Sequence, residues 1–176
     1  MRAGAAAVWL AAAFVAGCAS LPPPVAPGAI SGRLSVHVDA APGREARTLA
    51  AAFDLEGDAE SGSLSLATPL GTRIAQARWS PQKIALVTSE GESTYADTDD
   101  LTRQLVGEAL PLAALFDWLR GRPWPGAAST ALPSAQGAGF SQLGWQVVPA
   151  GADGAAIVAR RDAPPAITVR AMIDSR

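Results

Sequence analysis

Cysteine and histidine are almost missing from this 176-residue chain, which has one of each, Cys18 and His37. A single cysteine excludes an internal disulfide framework, and one cysteine with one histidine leaves no Cys/His metal cluster, so no metal and no cofactor is expected. A surplus of positive charge is also lacking: 14 Lys and Arg stand against 16 Asp and Glu, a net charge of −2, and nothing in that balance draws the chain to nucleic acid. Aromatic residues are scarce at 6%, and two of the rings, Trp9 and Phe14, fall in the first seventeen residues. The N-terminal apolar run, Ala5 to Ala16, falls short of the roughly 20 residues that cross a bilayer as a helix. What is present in quantity is 49% hydrophobic residues with 17 Gly and 14 Pro, the composition of a turn-rich, well-packed chain. One domain is expected once a targeting segment is removed.

Residues 1–17 carry one charge, Arg2, before the apolar run, and read as an export signal. The run ends in Val15-Ala16-Gly17-Cys18, small residues directly before the only cysteine, which resembles the lipobox of bacterial lipoprotein precursors. The other reading is an ordinary signal peptide with a stray cysteine. The lipobox implies that Cys18 becomes the mature N-terminus, thioether-linked to diacylglycerol and N-acylated. Each buried CH₂ adds about 0.8 kcal/mol, so several chains anchor the protein permanently. Position 19 is Ala rather than the Asp that resembles an inner-membrane retention signal, so outer-membrane sorting is expected. Residues 18–29, with Pro22, Pro23, Pro24 and Pro27, form the lipidated end and its tether.

The folded domain is expected over residues 30–176. Leu34, Val36 and Val38 alternate with Arg33, Ser35 and His37, the period-2 pattern of a half-buried strand with His37 on its solvent side. Alternation continues through Ala51–Leu55, Leu64–Leu66, Ala75–Trp79, Ile84–Val87 and Glu92–Ala96, about six strands in a meander. The period then lengthens. Leu101, Leu105 and Val106 form one helical stripe, opened by Asp97, Asp99 and Asp100 and closed by Gly107. Pro111 is placed as the first residue of a second helix, with Leu112, Leu115, Phe116 and Leu119 as its stripe. A proline- and glycine-rich stretch, Arg122 to Gly139, leads to strands at Gln142–Val148, Ala155–Arg160 and Ile167–Ile173. The class is α+β with an antiparallel sheet. Such a sheet, curled under two short helices, encloses either a cavity or a solid core. The small inward residues Ala51, Ala75 and Ala77 leave room, but pattern does not separate the two.

An ordered set of motifs resembles the LolB family of outer-membrane lipoprotein receptors. Phe53-Asp54-Leu55-Glu56-Gly57, Gly62-Ser63-Leu64-Ser65-Leu66, Thr68-Pro69-Leu70-Gly71-Thr72 and Trp79 match the family's first half. Tyr95, Asp100-Leu101, Gly107, Leu110-Pro111-Leu112, Leu115 and Trp118-Leu119-Arg120-Gly121 resemble its two-helix segment, and Gly144-Trp145-Gln146-Val147 the strand after it. The stretch from Arg122 to Gly139 and the C-terminal strands match weakly. The resemblance implies a curved antiparallel sheet, an unclosed half-barrel, with short helices as a lid over a hydrophobic cavity. It further implies a monomer that takes acylated lipoproteins from the periplasmic carrier LolA and releases them into the inner leaflet of the outer membrane.

No bond is made or broken in such a transfer, so no enzyme is expected, and no catalytic residue is assigned. Phe53, Leu64, Leu66, Trp79, Leu86, Leu115, Phe116, Trp118, Leu119 and Trp145 are the candidate cavity walls, with plain core packing as the alternative for each. Leu70 occupies a central position of a tight turn, where Asn, Asp or Gly is usual. The resemblance implies that it engages the membrane during delivery. Two other classes stay open: an envelope scaffold, which would need no cavity, and an enzyme, which would need convergent polar groups among these inward residues.

Overall fold

The computed structural model describes residues 28–133, 138–151 and 155–174. The export signal, Cys18 and nearly all of the tether lie outside the described residues.

Six strands come first in chain order: β1 (Ile30–Val38), β2 (Arg47–Gly57), β3 (Gly62–Ala67), β4 (Arg73–Ser80), β5 (Lys83–Thr88) and β6 (Gly91–Tyr95). Two helices follow, α1 (Thr98–Val106) and α2 (Leu112–Trp118). The chain ends in β7 (Ser129–Ala131), β8 (Phe140–Gln142), β9 (Trp145–Ala150), β10 (Ala156–Arg161) and β11 (Ile167–Ile173). All eleven strands join one antiparallel sheet in the order β6-β5-β4-β3-β2-β1-β11-β10-β9-β8-β7. The two ends of the strand order do not pair, so the barrel is unclosed. The decisive junction is β1 with β11, from Gly32↔Ile173 to Val38↔Ile167, which joins the N-terminal meander to the C-terminal one.

Alternation sets the two faces. Phe53 and Leu55 are each 2% exposed, while Asp54 between them and Glu56 after them point to solvent. The helices lie over the inner face, and α2 straddles it. Leu112 and Phe116 belong to an apolar cluster with β1–β5, whereas Ala114 and Trp118 belong to a second cluster with β8–β11. Spacings of four residues put each pair on its own side of the helix.

Three local expectations are corrected. Gln142–Val148 is not one strand: Leu143 and Gly144 take φ of 53° and 77°, making a two-residue hairpin turn between β8 and β9. The Arg122–Gly139 stretch contributes β7, a short edge strand that pairs with β8 and carries no apolar alternation to announce it. Pro111 caps α2 instead of opening it, with ψ at 78°, outside the helical range, and the first helical residue is Leu112. The cap of α1 is as expected: the Asp97 carboxylate accepts from the Asp100 amide at 2.8 Å, and Gly107 closes the helix at φ 92°.

Candidate functional site

Between α2 and the middle of the sheet lies a cavity lined by Leu34 of β1, Phe53 and Leu55 of β2, Leu64 of β3, Leu112, Leu115 and Leu119 of α2 and its C-cap, and Val169 and Ala171 of β11. Every lining residue is apolar. Its volume is about 40 Å³, against roughly 150 Å³ for an apolar cavity that admits benzene. β1, β2 and β3 are neighbours within the meander, and β11 joins this floor only because it returns to pair with β1.

Four of the ten candidate wall residues, Phe53, Leu64, Leu115 and Leu119, lie on this cavity. Leu66, Trp79, Leu86 and Phe116 pack beside it in the same apolar cluster. There Trp79 meets Phe116 edge-on with centroids 5.6 Å apart, and its indole N–H donates to the Asp58 carbonyl at 3.0 Å. Trp118 and Trp145 are brought together elsewhere, in the second cluster, with ring centroids 5.9 Å apart. Trp118 is 0% exposed, and its indole N–H donates to the Gln142 side-chain carbonyl at 2.8 Å. Ala51, Ala75 and Ala77 are buried in the first cluster and do not line the cavity.

Leu34, Leu55, Leu112, Val169 and Ala171 complete the wall and were not singled out from the sequence. The inward parity of each is legible in the alternation or the helical stripe. What parity omits is which inward residues become neighbours, since β1 and β11 are more than a hundred residues apart in sequence.

Leu70 stands apart from all of these. It is 94% exposed at the β3–β4 turn, which the Gly71 amide closes by donating to the Thr68 carbonyl at 2.9 Å. A register shift between Leu66 and Ala67 accompanies the turn, and Ile74 just beyond it is 37% exposed.

Polar chemistry collects on the opposite face of the sheet. His37 Nδ1 is 2.7 Å from Thr48 Oγ1, and its Nε2 is 3.2 Å from Asp39. These side chains are exposed on the outer face, so they do not converge on the apolar cavity. Among the described residues no group of three or more His, Cys, Asp or Glu could hold a metal ion. Asp58, at the β2–β3 turn, has its carboxyl held below the ordinary carboxylate value by the Ser61 and Glu60 amides that donate to it.

An unclosed antiparallel half-barrel crossed by two short helices, with a wholly apolar candidate site beneath one of them, defines an α+β open-barrel protein. The family model described as "Outer membrane lipoprotein LolB" matches residues 29–164. The outer-membrane lipoprotein LolB of Bordetella petrii is 37% identical over 150 residues, covering 78% of this chain and 75% of that protein. The LolB of Chromobacterium violaceum is 32% identical over 122 residues, 69% of this chain and 63% of that protein. The LolB of Bordetella pertussis is 31% identical over 147 residues, 78% and 73% respectively. The chain belongs to the LolB family of outer-membrane lipoproteins.

Proposed function

We propose that this chain is a lipoprotein receptor that accepts acylated lipoproteins from the periplasmic carrier LolA and inserts them into the inner leaflet of the outer membrane. The observation that carries this reading is the apolar cavity under α2, which presents no polar side chain to a ligand. Acyl chains exposed to water cost about 0.8 kcal/mol per CH₂, so they must move from one apolar cavity to another. Transfer needs complementary burial and no covalent step, and we assign no catalytic residue.

At about 40 Å³ the cavity is well short of the roughly 150 Å³ that admits benzene, so in this reading loading requires α2 to move off the sheet. Leu115 and Leu119 are only half-buried, so on the cavity side of α2 they are the roof residues that leave the sheet at least cost, while Trp118 holds the other side. In this reading residues 1–17 are the export signal and Cys18 is the lipid anchor that holds a monomer on the outer membrane, facing the periplasm. Residues 18–29 are the tether, and 30–176 are the binding domain. Leu70 engages the leaflet when cargo is delivered.

The test uses residues 18–176 with Cys18→Ala, mixed with LolA preloaded with a labelled lipoprotein. Label recovered on this chain supports the receptor. Label that stays on a carrier shown to deliver to another acceptor overturns it, and an envelope scaffold takes its place.

A further inference from the structure

Leu143 is a second exposed aliphatic residue at a turn tip, 47% exposed between β8 and β9. Both central residues of that turn have positive φ, 53° at Leu143 and 77° at Gly144. Such turns select Asn, Asp or Gly at the first position, because a side chain branching from a left-handed backbone crowds its own carbonyl. Leucine therefore suits neither the backbone geometry nor the exposure there, and local folding does not account for it.

Strand polarity places this turn. In an antiparallel sheet alternate strands run the same way, so β3, β1, β10 and β8 all point to one end. The turns that leave β3 and β8, carrying Leu70 and Leu143, share that end with the β1–β2 loop. Side chains tie the rim together. Arg44 of the β1–β2 loop pairs with Glu108, Arg161 at the end of β10 reaches the other Glu108 oxygen at 3.6 Å, and the Arg161 guanidinium lies 5.6 Å from the centre of Trp145, the residue after Leu143-Gly144.

We propose that Leu143 is a second point of contact with the bilayer, on the rim that carries Leu70. The occupant is lipid because the chain belongs to a family of outer-membrane lipoproteins, for which a leaflet is the apolar phase at hand. The proposal rests on the reading of Leu70 as membrane-engaging. Two separated apolar tips would hold the line between them along the leaflet, which one tip cannot do.

The experiment uses residues 18–176 with Cys18→Ala, which retain every described element, and measures sedimentation with vesicles of phosphatidylcholine alone, thermal unfolding, and uptake of labelled lipoprotein from the carrier. Leu143→Asn is expected to unfold at the same or a higher temperature, since Asn accepts the left-handed turn, and to partition about tenfold less into vesicles. Leu143→Gly should give the same loss. Leu70→Glu is measured alongside. Unchanged partition for both Leu143 variants with reduced partition for Leu70→Glu overturns the proposal and leaves the Leu70 reading standing. Unchanged partition for all three overturns both. Loss of carrier uptake with unchanged partition overturns the proposal in favour of a protein contact.

Discussion

Gln142 is buried at 2% exposure with both ends of its amide occupied. Its carbonyl accepts from the Trp118 indole and the Trp124 amide at 2.8 and 2.9 Å, and its NH₂ donates to the Trp124 and Ala127 carbonyls, each at 2.7 Å. Gln142→Leu keeps the volume and strands those four partners, so it should cost about 2–4 kcal/mol in chemical denaturation. Asp58 works at a turn in the open. Its two amide donors lower the folded pKa, so its contribution is complete above the ordinary value of 3.8 and lost as pH falls through the folded value. A titration of stability in acid should show this dependence in the parent and lose it in Asp58→Asn. Leu70 carries a functional prediction. Leu70→Glu should unfold like the parent and still take cargo from the carrier, yet release into vesicles should fall about tenfold or more. Normal release would remove Leu70 from the delivery step.

Among the elements, α1 is the one whose limits the residues state most plainly. Its Asp97 cap is exposed and bonded at 2.8 Å, and Asp97→Ala should lower stability by about 1 kcal/mol with no change in the sheet. Its companion α2 was legible as a stripe of Leu112, Leu115, Phe116 and Leu119, but a stripe does not say that Ala114 and Trp118 serve a second cluster on the other side. The helix is a wedge between two halves of one sheet. The β8–β9 hairpin was hidden for a different reason. Leu143 is not a turn residue by type, so Gln142 to Val148 reads as one run. Gly32 marks a close approach at the junction of β1 and β11, where an added Cβ would lie 2.0 Å from the Met172 carbonyl oxygen. Gly32→Ala must push the two strands apart, and amide exchange along β1 and β11 should accelerate if that junction is what joins the meanders.

At the scale of the molecule, the cavity is floored by four strands and roofed by one short helix, and in the proposed receptor loading depends on how readily that roof lifts. Leu115→Asp puts a carboxylate on the roof, among apolar neighbours, at a half-buried position from which it can turn to water. Uptake of a fluorescent acyl probe should fall about tenfold or more, with a smaller loss of stability than the same change at Phe53 would cause. By itself the sequence determined the α+β class, the inward and outward parity of each main strand and the leucine placed in the β3–β4 turn. Each of these follows from local spacing, charge or turn chemistry. The tertiary structure alone decided that β11 returns to β1, which inward residues meet at one cavity, that Trp118 and Trp145 pack in a second core, and that two leucine-bearing turns share a rim. Those depend on contacts between residues far apart in the chain, and periodicity carries no record of which distant strand a given face will meet.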